Sequence, residues 1–500
     1  MVNLLTLLDM AASGLPDRVA LGRRATGTTY SALLGQARSG AAVLRERNAE
    51  ELVYLGSNGP AFPVALFAAA WAGLPFVPLN YRLSEEQLLA LLAKHPKALV
   101  ITDGAPQAGL DAISTVDWLA STGESTPETA PWSDDPDAVA VLLYTSGTSA
   151  EPKAAILRHR HLVSYLLGGV EFAGADERDA ALVSVPPYHI AGIANVLSNV
   201  YAGRRLVYLE SFSADGWLDC VRAEEITNAL VVPTMLARIT EHLAEHVDAD
   251  VPSLRSLAYG GAKMPVSVLE RAIGLFPGVD FVNAYGLTET SSTIAVLGPE
   301  DHRAAVRGDA LARSRLNSVG RVLSDIEVRV SDVDGTVLPA GQVGEVYVRG
   351  PQVSGEYRGA GGARDADGWF ATRDRGWVDE DGYLFIEGRA DDTIIRGGEN
   401  IAPAEIEDVL LEHHAVAEAV VVGVPDEQWG YDIAAAVVLR PGRLIEVDEL
   451  REWVRSRLRS SKTPSLIVFR TELPQTATGK VLRRVVRDDL AGRTPTLGGS

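Results

Sequence analysis

The chain has 500 residues, of which 46% are hydrophobic and 22% are charged, a composition typical of globular proteins and unlike that of disordered ones. Because one hydrophobic core usually stops growing at about 250–300 residues, this length predicts two or more domains. The formal net charge of −20 would repel a phosphate backbone, so no nucleic-acid partner is expected.

The cysteine count and the apolar segments bear on the compartment. Cys220 is the single cysteine, which excludes an internal disulfide and fits a reducing environment. The N-terminal stretch opens without a basic region and Asp9 interrupts its apolar segment, so a signal peptide is not predicted. The most apolar region, Pro63 to Leu79, is broken by glycine and prolines and is too short to span a bilayer. We therefore expect a soluble cytoplasmic protein with no membrane span.

The first predicted elements alternate between strand and helix. Between residues 50 and 102, the runs LVYL, PFVPL and ALVIT alternate with helical segments at about 61–72 and 84–94, which predicts βαβ units. Ser84 followed by Gln87 forms a capping box for the second helix. The runs RLVYLE, NALVVP, SLAYGG and DFVNAYG continue the pattern toward residue 286. In such sheets ligands bind at the carboxyl ends of the strands.

The pattern changes in the last third of the chain. Residues 325–350 alternate apolar and polar residues around Asp-Gly and Ala-Gly turns, which predicts a β subdomain of antiparallel hairpins. The sequence then predicts helix, strand, strand, helix and strand. The expected fold is therefore α/β, with a large N-terminal domain of βαβ-type sheets plus a β subdomain at 1–388 and a small mobile α+β domain at 389–500.

The stretch YTSGTSAEPKAA, residues 144–155, follows the apolar strand AVAVLL. Backbone N–H groups and hydroxyl side chains directly after a strand can bind an anion such as a nucleotide phosphate. The stretch is not a Walker A motif, because G-x-x-x-x-G-K-[ST] does not occur in the chain. From these residues alone, a polar surface loop stays an open alternative.

Four motifs occur in the same order as in the adenylate-forming superfamily of acyl-CoA synthetases, luciferases and peptide-synthetase adenylation domains. They are YTSGTSAEPK, NAYGLTET, WFATRDRGWVDEDGYLFIEGRADD with the following DDTIIRGGENIAPAEIE, and LPQTATGKVLRR. The chain resembles this superfamily from about residue 15 to about residue 487. The resemblance implies binding of ATP and Mg²⁺.

By this resemblance, the nucleotide-binding residues are Thr145, Ser146, Gly147, Thr148, Ser149 and Lys153 in the phosphate loop, Gly260, Gly261 and Ala262 at one strand end, Asn283, Ala284, Tyr285 and Gly286 around adenine, and Asp374 and Arg389 at the ribose. The implied catalytic residues are Thr288 at the α-phosphate, Glu289 as the magnesium ligand, Lys480 between carboxylate and α-phosphate, and His189 in the acyl and thiol pockets. The implied hinge and thiol loop are Asp391, Gly397, Gly398, Glu399 and Asn400. For His189, an ordinary core histidine is left open.

Two positions depart from the pattern of the superfamily. Ala150 stands where most relatives carry a glycine, which predicts a stiffer phosphate loop that still binds pyrophosphate. Arg373 replaces the glycine of the usual T-G-D triplet. If the glycine is needed there because the backbone adopts an unusual angle, then Arg373 alters the surroundings of the ribose site.

The implied reaction has two steps: a carboxylate attacks the α-phosphate of ATP to give acyl-AMP and pyrophosphate, and a thiol then attacks the acyl carbon and releases AMP. The small-molecule acid is expected to be a fatty or aromatic acid, with fatty acid preferred. The acceptor is expected to be coenzyme A, and a carrier-protein phosphopantetheine is the first alternative. A binding protein that has lost catalysis, a luciferase-like oxidative enzyme and a peptide-synthetase module are further alternatives, and a homodimer is left open.

Overall fold

A computed structural model of the chain describes residues 3–104, 109–124, 131–145, 152–396, 399–426, 429–475 and 481–492. Internal contacts divide the chain into two compact units. The first comprises Met1–Gly261, Ala272–Val328 and Val348–Phe370, and the second comprises Ala262–Arg271, Arg329–Tyr347 and Ala371–Ser500. The boundary expected between residues 388 and 389 falls inside the second unit and stays a prediction.

The strands in chain order are β1 Val19–Leu21, β2 Thr28–Thr29, β3 Glu51–Leu55, β4 Phe76–Pro78, β5 Ala98–Thr102, β6 Ala112–Ser114, β7 Val139–Thr145, β8 Lys153–Arg158, β9 Ala180–Val183, β10 Arg205–Tyr208, β11 Asn228–Val231, β12 Ser256–Gly260, β13 Asp280–Leu287, β14 Ser292–Leu297, β15 Ser318–Val322, β16 Glu327–Ser331, β17 Gly344–Arg349, β18 Glu356–Tyr357, β19 Gly361–Gly362, β20 Phe370–Val378, β21 Tyr383–Arg389, β22 Ile394–Arg396, β23 Glu399–Ile401, β24 Val416–Asp426, β25 Gly430–Leu439 and β26 Leu466–Arg470.

The α-helices are α1 Leu4–Gly14, α2 Tyr30–Glu46, α3 Ala61–Ala72, α4 Glu85–Leu92, α5 Thr115–Glu124, α6 His159–Gly169, α7 Ile190–Ala202, α8 Ala214–Ala223, α9 Pro233–His242, α10 Val266–Leu275, α11 Pro299–Val306, α12 Ala310–Arg315, α13 Pro403–Leu411, α14 Val447–Arg455 and α15 Arg483–Ala491. Short 3-10 helices lie at Thr288–Thr290, Ala390–Asp392 and Ser460–Lys462.

The first unit contains two large sheets. In one, the strands of this unit run in the order β15-β14-β13-β12-β11-β9-β10-β1-β2, and the central strands from β13 to β1 pair in parallel. The other has the order β19-β18-β8-β7-β4-β3-β5-β6, with parallel pairing from β7 to β6. These parallel strands confirm the predicted α/β class with βαβ-type sheets.

Helices pack against strands of both sheets. One apolar cluster joins α1, α2, α3, α5, α6 and α7 to strands that include β1, β3, β4, β7 and β10. Every residue of α3 from Ala61 to Trp71 is buried, as expected for a helix that is apolar on all sides. At α4 the Ser84 side chain accepts from the Gln87 backbone and the Gln87 side chain accepts from the Ser84 backbone. Both predicted helices and the predicted capping box are therefore confirmed.

The second unit contains a smaller sheet with a core on each face. Its order is β23-β22-β25-β24, and β26 pairs in parallel with β25. Side chains alternate along the strands, so Val421 and Ile433 pack with α13 and α14 on one face, whereas Val420 and Ala434 pack with α15 on the other. The helix-strand-strand-helix-strand order predicted here is present, followed by α15. The strands β16, β17, β20 and β21 are neighbours in that order.

Within the described ranges, no helix combines the length and the apolarity needed to cross a membrane.

Candidate active site

The hairpin of β7 and β8 carries the two described ends of the predicted phosphate loop. Thr145 and Lys153 lie opposite each other across this antiparallel pair, and the Thr145 hydroxyl donates to the Lys153 carbonyl oxygen at 3.4 Å. Lys153 is exposed. The loop residues Ser146, Gly147, Thr148, Ser149 and Ala150 lie outside the described part of the chain. The hairpin therefore places a hydroxyl and a cation side by side where the loop begins and ends.

Two adjacent parallel strand ends carry the predicted adenine residues of the first unit. Gly260 at the end of β12 pairs with Ala284 of β13, and a Cβ added to Gly260 would collide with the Ala284 carbonyl oxygen. Gly261 follows with a φ of 85°, which favours glycine. Along β13, Asn283 donates to the Ser318 carbonyl oxygen at 3.4 Å. This edge is the carboxyl end of parallel strands, the expected place for a ligand.

Gly286 continues this edge along β13. A Cβ on Gly286 would collide with the Ser292 carbonyl oxygen of β14, so this position also requires glycine. Tyr285, between Ala284 and Gly286, is half-buried. Ala262 belongs by its contacts to the second unit, and its predicted role stays a prediction.

The chain turns after β13 into a 3-10 helix that carries Thr288 and Glu289. This helix packs against β8, the strand that follows the phosphate loop. Glu289 is 9% exposed. The Tyr357 hydroxyl donates to Glu289 Oε1 at 2.7 Å, and the Ser354 backbone donates to the Glu289 carbonyl oxygen at 2.8 Å. The predicted magnesium carboxylate is therefore held in place from two directions.

The surroundings of Glu289 are suited to a magnesium ion that is shared with a nucleotide. Among the described residues, no three His, Cys, Asp or Glu side chains converge into a metal site. Mg²⁺ commonly uses one or two carboxylates and takes its remaining ligands from phosphates and water. A single, nearly buried carboxylate next to the strand of Lys153 fits that pattern.

In the second unit, Asp374 and Arg389 form a cross-strand pair of β20 and β21. Arg389 donates to Asp374 Oδ1 at 3.1 Å and to the Thr372 carbonyl oxygen at 3.0 Å. The Thr372 hydroxyl accepts from the Asp374 backbone at 3.1 Å and donates to the Val346 carbonyl oxygen at 2.7 Å. Asp374 is 6% exposed. The structure thus brings the two predicted ribose residues together and orients the carboxylate, which is a suitable acceptor for hydroxyl groups.

Arg373 adopts the backbone angle that the sequence raised as a question. Its φ is 59°, in the left-handed region that favours glycine. Its guanidinium lies 3.7 Å from the Asp391 carboxylate. An arginine therefore occupies a position suited to glycine, next to Asp374 and within ion-pair distance of the predicted hinge residue.

The predicted hinge and thiol loop lie on successive short elements of the second unit. Asp391 is in the middle of the 3-10 helix Ala390–Asp392 and is the exposed residue of the three. The hairpin of β22 and β23 pairs Arg396 with Glu399 and Ile395 with Asn400. Gly397 and Gly398, between these strands in the chain, lie outside the described residues, as does Lys480.

His189 lies at the start of α7 in the first unit, and this helix packs against β14. Its ring is half-buried and meets the Tyr188 ring at 4.7 Å between centroids and 48° between planes. Tyr188 in turn meets Tyr81 edge to face at 5.4 Å, and burial raises the pKa of Tyr188. An aromatic row of this kind suits a pocket wall and a core equally, so both interpretations of His189 stay open.

The sequence reasoning missed a buried polar network beside the phosphate hairpin. His95 contacts Glu51 through Nδ1 and the Tyr144 hydroxyl through Nε2, the latter at 2.9 Å. Arg358 donates to Glu51 at 2.6 Å. Burial alone would raise the pKa of Glu51, but His95 and Arg358 outweigh it and lower that pKa. The one hint of this network in the local sequence was that a charged residue, Glu51, begins the otherwise apolar strand ELVYL.

The comparisons with known proteins agree with this arrangement. Residues 8–358 match the family model of the AMP-binding enzymes, and residues 405–480 match that of the AMP-binding enzyme C-terminal domain. The chain is 34% identical to a fatty acid–[acyl-carrier-protein] ligase, ScoC, from Streptomyces coeruleorubidus, over 89% of this chain and 87% of that protein. It is also 34% identical to a feruloyl-CoA synthase from an Amycolatopsis species, over 94% of this chain and 96% of that protein.

A solved structure shares the fold. It is the o-succinylbenzoate CoA synthetase MenE of Bacillus subtilis in complex with its acyl-adenylate intermediate, with a TM-score of 0.84, 29% identity and coverage of 96% of this chain and 98% of that one. The same enzyme has been solved with ATP and a magnesium ion. The chain therefore belongs to the AMP-binding enzyme family, and is an AMP-forming acid–thiol ligase of the adenylate-forming superfamily.

Proposed function

We propose that the chain activates a carboxylic acid with ATP and then transfers the acyl group to a phosphopantetheine thiol. The observation that carries this proposal is the grouping within the first unit. The ends of β12 and β13, where Gly260 and Gly286 stand, are paired neighbours, and β13 continues into the 3-10 helix of Glu289. This helix packs against β8, the strand of Lys153. The predicted adenine residues, the metal carboxylate and the phosphate hairpin thus follow one another in space, an arrangement that would suit one bound nucleoside triphosphate.

In the first half-reaction, a carboxylate oxygen of the acid bonds to the α-phosphorus of ATP. The bond between the α-phosphorus and the oxygen that links it to the β-phosphorus breaks, and this oxygen leaves with pyrophosphate. The products are acyl-AMP and pyrophosphate. Lys153 and the Thr145 hydroxyl would hold the departing phosphates, and Asp374 would accept from the ribose hydroxyls. Lys480, a prediction from the sequence, would offset negative charge that develops at the α-phosphorus. Magnesium at Glu289, when bound, supplies further charge neutralisation on the phosphates.

In the second half-reaction, a thiolate attacks the acyl carbon and AMP leaves. Acyl-AMP hydrolyses in water, so the site must be protected from solvent until the thiol arrives. We assign that role to the small C-terminal domain, with Asp391 as its hinge and the Gly397–Asn400 segment as its thiol-facing loop.

The residues of the stretches His189–Ile193 and Thr290–Thr293, together with Gly261, are mostly small or apolar, which favours a fatty or an aromatic acid. We propose a fatty acid with coenzyme A as acceptor. Transfer to an acyl carrier protein is the second candidate, because one of the relatives at 34% identity is named as a fatty acid–[acyl-carrier-protein] ligase.

One assay tests the proposal. Pyrophosphate release is measured with ATP and Mg²⁺ over a panel of fatty, aromatic and amino acids, and thioester formation is then measured with CoA and with phosphopantetheinylated carrier protein. We expect release with a fatty or aromatic acid and thioester with CoA. Activity with amino acids alone would contradict the substrate class. No release with any acid would favour a nucleotide- or acyl-binding protein that has lost catalysis.

A further inference from the structure

The segment Gln352–Arg358, here called the bridging segment, connects the loop of Glu289 to the rest of the first unit. Gln352 donates to the carbonyl oxygens of Thr290 at 2.9 Å and Thr293 at 2.8 Å. The Ser291 hydroxyl donates back to the Gln352 carbonyl oxygen at 2.9 Å. The main chain around Glu289 is therefore fixed to this segment at several points.

The same segment is fixed to β8, the strand that leaves the phosphate loop. Tyr357 pairs with Ala155 in the sheet, and the Arg358 backbone donates to the Ala154 carbonyl oxygen at 2.9 Å. Glu356, which precedes Tyr357, accepts a hydrogen bond from Arg158 of β8 at 2.7 Å. The bridging segment thus contacts both the chain around Glu289 and the phosphate hairpin of β7 and β8.

The end of the bridging segment also reaches β7, the strand that enters the phosphate loop. Arg358 binds Glu51, Glu51 contacts His95, and His95 lies 2.9 Å from the hydroxyl of Tyr144. His95 is 3% exposed and Glu51 is 9% exposed. Buried hydrogen-bonded networks of this kind restrict movement of the groups that they join. Both strands that flank the loop are therefore held by one segment.

Tyr357 is the residue of this segment that meets the predicted metal ligand. Its hydroxyl donates to Glu289 Oε1 at 2.7 Å, and the Lys153 ammonium lies over its ring, 5.9 Å from the centroid, within range of a cation–π contact. A hydrogen bond to one carboxylate oxygen orients the group and leaves the other oxygen as the metal ligand.

We infer that Tyr357 is a positioning residue for Glu289, which sets the direction of the magnesium carboxylate relative to the phosphate hairpin. The inference rests on the proposed function, because it takes Glu289 as a magnesium ligand. No role toward the reacting carboxylate or the α-phosphate is assigned to Tyr357. Its effect is expected on metal-dependent nucleotide affinity and on that property alone.

The test uses Tyr357→Phe in the full chain, with Tyr30→Phe as the matched control. Tyr30 is buried in the same unit and donates to the Arg204 carbonyl oxygen at 2.9 Å, so its substitution also removes one hydroxyl. ATP dissociation constants are measured by calorimetry with Mg²⁺ and with EDTA. The ratio of the two constants is the gain in affinity that magnesium provides. Glu289→Gln is the reference for complete loss of that gain.

We expect Tyr357→Phe to reduce the magnesium gain by about 10-fold. This is the lower end of the roughly 10–100-fold loss that is typical when a residue hydrogen-bonded to a metal ligand is substituted. Affinity in EDTA should be unchanged, and Tyr30→Phe should keep the full gain. An equal loss of affinity with and without Mg²⁺ would make Tyr357 a general structural residue and refute the inference. A full gain in Tyr357→Phe would refute it as well.

The proposed function is tested separately by the wild-type chain and Glu289→Gln. If the wild type binds ATP without any gain from magnesium, or if Glu289→Gln keeps the gain, the assignment of Glu289 is wrong and the inference falls with it. If the wild type shows a gain that Glu289→Gln abolishes and Tyr357→Phe preserves, the proposed metal site stands and the inference alone is refuted.

Discussion

Replacing Arg373 by glycine should leave the second unit as stable as before or slightly more stable. A left-handed backbone raises the free energy of a residue with a side chain by about 1–2 kcal/mol. Glycine has a larger entropy loss on folding, worth about 0.5–1 kcal/mol. The two effects together favour glycine by about 0–1.5 kcal/mol.

The contact between Arg373 and Asp391 opposes this gain only weakly. Their side chains are 59% and 36% exposed and 3.7 Å apart, and exposed ion pairs of this kind contribute about 0–1 kcal/mol, less in salt. Arg373→Ala is the matched control, because it removes the same ion pair and keeps a side chain at a φ of 59°. The glycine variant should therefore be more stable than the alanine variant by about 0–1.5 kcal/mol.

The measurement is thermal unfolding of the three proteins at two salt concentrations. A difference of about 1 kcal/mol corresponds to roughly 2–4 °C between the glycine and alanine variants for a unit of this size. The wild type should lose any advantage from its ion pair as salt increases. If Arg373→Gly unfolds at a lower temperature than Arg373→Ala, the backbone at this position is not strained and the reasoning is wrong.

Three further predictions concern the network, the adenine edge and the ribose pair. Because the folded-state pKa of Glu51 is lowered, its stabilisation is present above the ordinary carboxyl range and is lost as pH falls through the folded value. Glu51→Gln should therefore melt below wild type at pH 7, with the difference shrinking in acid; a constant difference would speak against the charged network. Gly260→Ala, whose Cβ meets the Ala284 carbonyl oxygen, should weaken AMP binding and lower the melting temperature by several degrees. Gly35→Ala, with open space around its Cβ, is the control and should do neither. Asp374→Asn should weaken AMP binding by about 10-fold or more, since hydrogen bonds to a charged acceptor contribute about 1.5–3 kcal/mol, and calorimetric affinity equal to wild type would exclude Asp374 as the ribose residue.

The features that could be predicted from sequence are those set by neighbouring residues. The capping box of Ser84 and Gln87 spans three residues, and α3 is marked by an unbroken apolar run. Strand–turn–helix order and the α/β class followed from the same local patterns. The resemblance of the motifs supplied the family, which the comparisons confirm.

The contacts that could not be predicted join residues far apart in the chain. Arg358 binds Glu51 across 307 positions, and Tyr357 binds Glu289 across 68. Neither pair has a spacing that a helix or strand period would reveal. The left-handed backbone of Arg373 could be predicted in part: the motif marked the position as unusual, but the φ of 59° is seen only in the structure.

The two-faced sheet of the second unit limits how that unit can change shape. Val421 and Val420 are adjacent on β24 yet belong to opposite cores, so bending the sheet would open one core or compress the other, and close-packed interiors resist both. We therefore expect the sheet and the helices on its two faces to move as one rigid body. Any large rearrangement has to be absorbed by backbone torsions outside the sheet, and the short 3-10 helix Ala390–Asp392 lies outside it.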